Sequence, residues 1–225
     1  MSTFEGPVSV YYWPMFGRAG SVVRMLEHAG VPYTFKSEFP EIAACGSAFG
    51  STKQDTFAPP IVQDGEFFIS QSTACALYVG EKCGLSAPNT AKCVQHLADI
   101  VDFFELGLAG TLSNKGSGEL KKFIEGDRLP KQLGNLERAV QGPFFYGDKP
   151  TVTDFFLTQQ VDWHEGTLLD RLKAEKGVDI FAAFPKLYAV ATGIRNLDSY
   201  QKYSGPLKTV RDGFECKDET IANYA

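Results

Sequence analysis

Gln71 and Ser72 stand where a short β-prone run gives way to a one-face helical pattern, the kind of junction that can hold an anion. Amide N–H groups at a helix start, reinforced by the macrodipole, favour a carboxylate, and a serine hydroxyl adds a further donor. Serine also caps helices in any protein, and the two duties can coexist. A second group closes the first apolar run: Tyr11-Tyr12-Trp13-Pro14-Met15-Phe16-Gly17-Arg18. Strand alternation sends the two phenols to opposite faces. Both tyrosines also suit plain strand packing, given their β-propensity. Metal chemistry lacks its ligand pattern. The five cysteines (Cys45, Cys75, Cys83, Cys93, Cys216) show no C-x-x-C or paired zinc spacing, and His28, His96 and His164 are isolated. An odd set of this kind reads as free thiols in a reducing compartment.

The elements that must position these groups differ between two parts of the chain. Val8 to Tyr12 predicts a first strand, and Val22, Val23, Met25 and Leu26 recur at helical spacing before the stop signals Gly30 and Pro32. Tyr33 to Lys36 reads as a second strand, and 40–55 as a weak helix or an irregular loop. Pro60-Ile61-Val62-Gln63, the turn pair Asp64-Gly65, and Glu66 to Ser70 make the strongest hairpin signal in the chain. Ser72 to Val79 then carries Ala74, Leu77 and Tyr78 on one helical face. Beyond 86–90, strand signals vanish. Val94, Leu97, Ile100, Val101 and Phe104 form one apolar stripe, Leu133, Leu136 and Val140 another, and Phe155, Phe156, Val161 and Leu168 a third. The tail past Tyr203 reads as an extended segment. The expected architecture is an α/β thioredoxin-like domain over 1–85, a linker at 86–90 and an all-α helical bundle over 91–225.

Composition narrows the partners. Apolar residues make up 44% and charged residues 22%, as in compact soluble proteins, and no apolar run or basic leader suggests a membrane or export. The net charge is −5, with no long basic block to neutralise phosphates, so nucleic acid is not expected.

The run from Phe57-Ala58-Pro59-Pro60 through Asp64-Gly65 to Gln71-Ser72 resembles the glutathione-binding half of the cytosolic glutathione S-transferases. A later Thr151-x-x-Asp154 capping box after Gly147-Asp148 resembles the helix start found in their second domain. The strand end Tyr-Tyr-Trp followed by Gly17-Arg18 is similar to the tyrosine-type, mu/pi/sigma-like classes. The resemblance implies a cis-proline at Pro60, with Gln71 and Ser72 on the γ-glutamyl end of glutathione and the backbone of Pro59 and Pro60 along its cysteine. Position 59 departs from the pattern, because proline has no N–H to complete the antiparallel clamp.

Further carry-overs are Lys53 for the glycine carboxylate and Asp99 for the γ-glutamyl amine across a dimer interface; the electrophile side should be apolar, and the aromatic load of the helical half offers Phe103, Phe104 and Tyr203 for a hydrophobic pocket. Tyr12, preferred to Tyr11, is the implied catalytic hydroxyl supporting the thiolate. A lone lysine in a polar loop is more often simply solvated, and Asp99 reads more readily as a helix-surface charge. The implied protein is a cytoplasmic homodimer with glutathione as co-substrate and no metal, joining its sulfur to small hydrophobic electrophiles in detoxification. Alternatives on the same scaffold are a non-catalytic ligand carrier or structural protein, or a glutathione-dependent peroxidase or isomerase.

Overall fold

The computed structural model describes residues 3–15, 17–108, 118–202 and 224. Strands β1 (Val8–Tyr11), β2 (Tyr33–Lys36), β3 (Ile61–Asp64) and β4 (Phe67–Ser70) form one sheet in the order β2-β1-β3-β4. β1 runs parallel to β2 and antiparallel to β3, which pairs antiparallel with β4. Helix α1 (Gly20–Ala29) makes the crossover between β1 and β2, as a parallel pair requires. It buries Val22, Val23, Met25 and Leu26 completely. Gly30 ends it at φ 65°, a conformation that favours glycine, and its N–H bonds the Glu27 carbonyl at 3.2 Å.

The stretch 40–55 is not a single loop: it holds α2 (Phe39–Cys45) and a 3-10 turn at Ser47–Phe49. Ile42 and Cys45 are the only buried residues of α2, and they pack with Tyr11 and Ile61 into a small cluster. Val8, Val10, Tyr12 and Val62 point the other way, into the main core with α1 and α3 (Ser72–Lys82). The hairpin forms one residue later than the Asp64-Gly65 turn predicts. Asp64 is the last residue of β3, opposite Phe67, and Gly65-Glu66 make the turn. The reason is a distant demand on Asp64: its buried carboxylate accepts from the amides of Glu5 (2.6 Å) and Gly6 (2.8 Å) and from the Tyr78 hydroxyl (2.7 Å).

The second part is helical: α4 (Thr90–Val101), α5 (Glu119–Glu125), α6 (Arg128–Ala139), α7 (Val152–His164), α8 (Asp170–Lys176), α9 (Pro185–Arg195) and α10 (Asp198–Lys202). Asn89 caps α4, accepting from the Lys92 N–H at 3.0 Å. α4 and α7 both continue as π-helical runs, Asp102–Leu108 and Glu165–Leu169. The predicted α4 stripe needs one correction. Val94 is 47% exposed, and Cys93 and His96 take the inward positions beside Leu97 and Ile100. In α7 every residue except Trp163 is buried. Its start is held by the Thr151–Asp154 capping box, with the Asp154 carboxylate 2.7 Å from the amides of both Thr151 and Phe145. The tail read from the sequence lies almost wholly outside the described residues. Among the described residues no helix is long and apolar enough to cross a membrane.

The two parts share one core. A Cβ added at Gly80 of α3 would lie 2.8 Å from the Val152 Cβ, so backbone meets side chain there without a spacer. Asp162 of α7 accepts from Arg24 of α1 (3.2 Å), Arg195 of α9 (2.9 Å from Nε) and the Tyr200 hydroxyl of α10 (2.7 Å). Arg195 also reaches Glu165, and the Arg24 guanidinium lies 3.7 Å over the Tyr200 ring.

His164 gives this core a pH dependence. Its Nδ1 lies 2.8 Å from the Gln160 carbonyl and its ring packs on Phe104, and burial pushes its pKa down to about 4. In the unfolded chain the same imidazole takes a proton near pH 6.5. Between those values the unfolded state binds more protons, so stability present at pH 7 is lost as pH falls from about 6.5 to about 4, by up to ~3 kcal/mol. Urea unfolding at stepped pH should show this loss, and the His164→Phe variant should show a visibly shallower one.

Candidate functional site

The sheet register brings the sequence candidates to one edge. Tyr11 pairs with Ile61 and Ile61 with Ser70, so Tyr12, Pro60 and Gln71 each stand one residue beyond, at the same end of β1, β3 and β4. Neighbouring strands are about 4.8 Å apart, which makes these three residues neighbours in a row. The Pro59–Pro60 peptide bond is cis. Cys75 of α3 places its thiol 3.5 Å from the Pro60 carbonyl; burial pushes that thiol up to about 12, so it remains protonated.

Gln71 is the N-cap of α3 and adopts φ 74°, ψ 124°, the only positive φ among the described non-glycine residues. A strained backbone of this type costs about 1–3 kcal/mol and gathers at binding sites. Its effect is to turn the chain sharply from β4 into α3, which aims the first amides of the helix out of the sheet edge. Ser72 is the first helical residue and not the cap; its hydroxyl makes no hydrogen bond to the described residues. The capping reading of Ser72 is thereby corrected. This end of α3 presents unpaired donors and a positive dipole, the requirements for a carboxylate.

Tyr12 is 6% exposed and sits under the turn that follows it. Its oxygen accepts the Arg18 N–H at 2.9 Å. Gly17, at φ 33°, passes so near that an added Cβ would lie 2.4 Å from the Tyr12 oxygen. Burial raises the phenol pKa, against the lowering effect of the Arg18 amide, so the hydroxyl keeps its proton at neutral pH. With the oxygen already accepting, that proton is available to a neighbouring anion. Tyr11 is different in every respect. It faces the α2 cluster, donates to Gln63 Oε1 (2.7 Å) and accepts from Lys36 Nζ (2.9 Å), so its hydroxyl is fully engaged within the sheet.

The remaining candidates lie apart from this row. Lys53 is exposed in the loop before β3, and its backbone N–H donates to the Ser51 hydroxyl at 3.4 Å. Asp99 is half-buried on α4 and accepts from Asn135 of α6 at 3.4 Å. Phe103 and Phe104 are wholly buried, packed edge-to-face on each other at 4.8 Å and against Phe123 and Phe181. They are core residues and present no wall to an open pocket, which corrects their assignment to one. Tyr203 lies outside the described residues.

Sequence reading did not find Glu105 and Gln160. The Arg18 guanidinium bonds Glu105 Oε2 at 2.8 Å, and Glu105 Oε1 accepts from Gln160 at 2.6 Å. Among the described residues no cluster of three or more His, Cys, Asp or Glu side chains is placed to hold a metal ion.

Comparison with known proteins gives this geometry a context. The family profile described as glutathione S-transferase, C-terminal domain, matches residues 102–205. Glutathione S-transferase Mu 6 of Mus musculus is 26% identical over 213 residues, spanning 88% of this chain and 92% of the relative. The fold is shared with a glutathione S-transferase from Ascaris lumbricoides, 17% identical with a TM-score of 0.67, over 89% of this chain and 99% of that one. It is shared also with a Pi-class glutathione S-transferase of Onchocerca volvulus, 19% identical with a TM-score of 0.64, over 87% and 91% of the two chains.

Proposed function

We propose that this chain, as a member of the cytosolic glutathione S-transferase family, conjugates glutathione to small hydrophobic electrophiles, with Tyr12 as the group that stabilises the thiolate. The observation that carries the reading is the row formed by the Tyr12 hydroxyl, the cis Pro59–Pro60 bond and the strained Gln71 at the start of α3.

In this reading the γ-glutamyl carboxylate sits on the Ser72 hydroxyl and the first amides of α3. The Pro59 carbonyl takes the cysteinyl N–H, and Lys53 pairs with the glycine carboxylate. Asp99 would serve the γ-glutamyl amine only from a second subunit, since its own helix turns it to Asn135. A free thiol with pKa near 8.5 is only a few per cent ionised at pH 7, and lowering it by two units needs about 2.7 kcal/mol. One hydrogen bond to a charged group contributes about 1.5–3 kcal/mol, so the Tyr12 O–H supplies much of that. The thiolate then attacks the electrophile, forming the C–S bond as the leaving group departs with its electron pair. The compartment consistent with this role is the cytoplasm, and the assembly a homodimer.

Gly17→Ala tests the placement of the hydroxyl. The new methyl group must push the Tyr12 ring away, and displacement of a reacting contact by about 1 Å costs roughly 10- to 100-fold in rate. Steady-state conjugation of an aromatic halide should fall by that amount in a variant whose circular dichroism is unchanged.

A second reading, a non-catalytic ligand carrier, is favoured by the missing N–H at Pro59 and by the burial of Phe103 and Phe104. Calorimetry with glutathione beside a conjugation assay separates the two. Uptake with turnover supports the transferase, uptake without turnover the carrier, and no uptake at saturating glutathione overturns the transferase.

A further inference from the structure

A chain of contacts joins the helical part to the phenol of Tyr12. Gln160, 2% exposed on α7, bonds Glu105; Glu105, with its side chain 9% exposed, bonds the Arg18 guanidinium; and the Arg18 amide bonds the Tyr12 oxygen. The two ends of the chain are buried, whereas the Arg18 side chain between them is 55% exposed. A half-exposed arginine left alone would sample several rotamers, and the short 3-10 turn Gly17–Ala19 that carries its N–H would be less firmly held. Held by a carboxylate that is itself held by Gln160, Arg18 keeps one orientation, and its N–H stays on the phenol oxygen. Glu105 belongs to the π-helical run 102–108, so its aim is set by the irregular winding of that run.

We propose that Glu105 is a positioning residue: through Arg18 it fixes the Tyr12 hydroxyl, and so lets the packing of the helical part set the acidity of the bound thiol. This rests on the transferase reading and adds to it a residue that touches neither glutathione nor the reacting atoms. Two physical effects of Glu105 have opposite signs, which makes the idea decidable. Its negative charge acting through space disfavours a nearby thiolate, so removing the charge alone would lower the thiol pKa. Its hold on Arg18 favours the thiolate by keeping the Tyr12 hydroxyl in place, so losing that hold would raise the pKa. The proposal is that the second effect wins. Gln160 contributes only to the hold, having no charge.

The experiment measures the pH dependence of aromatic-halide conjugation in the wild type, Glu105→Ala, Glu105→Gln and Gln160→Leu, together with hydrogen exchange of the Arg18 amide by NMR in the absence of glutathione. Glu105→Ala should move the pH midpoint upward and lower kcat at pH 7 by about 10-fold, with KM for glutathione within about 2-fold. Glu105→Gln, which keeps an acceptor for Arg18, should restore most of the rate. Gln160→Leu, which changes no charge, should move the midpoint in the same upward direction, and it serves if Glu105→Ala does not fold. The Arg18 amide should exchange faster in Glu105→Ala and Gln160→Leu than in the wild type. An unmoved or lowered midpoint in a folded Glu105→Ala protein overturns the proposal, whatever the Arg18 exchange rate. Should the wild type take up no glutathione, the transferase reading fails separately; Arg18 exchange then decides the coupling by itself, faster exchange supporting it and unchanged exchange overturning it.

Discussion

Tyr12→Phe is expected to lower kcat/KM for conjugation by roughly 10- to 150-fold, the equivalent of losing about 1.5–3 kcal/mol of hydrogen bonding to a thiolate. The loss should fall with rising pH, since the variant's thiol ionises without help once the solution is alkaline. The pH midpoint therefore moves upward by about one to two units, while calorimetric affinity for glutathione stays within about 2-fold, because the peptide is gripped at α3 and the Pro59–Pro60 edge. Steady-state rates at stepped pH are the measurement. Tyr11→Phe is the control: that hydroxyl is satisfied by Lys36 and Gln63 on the far face of the sheet, so its removal should leave the midpoint in place. A shift in the Tyr11 variant with none in the Tyr12 variant would transfer the role to Tyr11.

The largest effect on stability is expected from Asp162→Ala. This carboxylate is 8% exposed and collects Arg24, Arg195 and Tyr200 from three different helices. Its removal takes away the carboxylate that the Arg24 and Arg195 guanidinium groups share, and breaking such a buried pair from one side costs about 3–5 kcal/mol. For a chain of this size that is a fall in melting temperature of roughly 6–20 °C by calorimetry. Glu165→Gln should cost less, because Glu165 serves Arg195 alone whereas Asp162 serves both cations. A melting temperature for Asp162→Ala within 2 °C of the wild type, about 1 kcal/mol or less at this size, would show that solvent reaches this node.

Local sequence carried much of this architecture, and its failures have a common physical source. The hairpin was legible because two β-prone runs, Ile61-Val62 and Phe67-Phe68-Ile69, flank an Asp-Gly pair. Its one-residue offset was not, because the amides of Glu5 and Gly6, almost sixty residues away in sequence, recruit Asp64 into β3. α2 was hard to read because it buries only Ile42 and Cys45, too few apolar residues to make a stripe. Phe104 continues the apolar stripe of α4 and Phe103 packs edge-to-face on it, so their core packing was legible in the helical pattern, and the pocket role rested on aromatic content alone. The order Tyr12, Pro60, Gln71, Ser72 was visible as a motif, but their adjacency is a property of strand register. Arg18 and Glu105 come from different parts of the fold, and no periodicity could have paired them.

The near-contact of Gly80 with Val152 has an evolutionary corollary. At that seam there is no room for a methyl group, so the two parts of the molecule cannot drift independently. A chimera that grafts a foreign bundle onto this sheet would fit only if it brought a residue no bulkier than valine to the start of α7. The division into two parts is thus one of topology, and in terms of interchangeable modules the chain is a single piece.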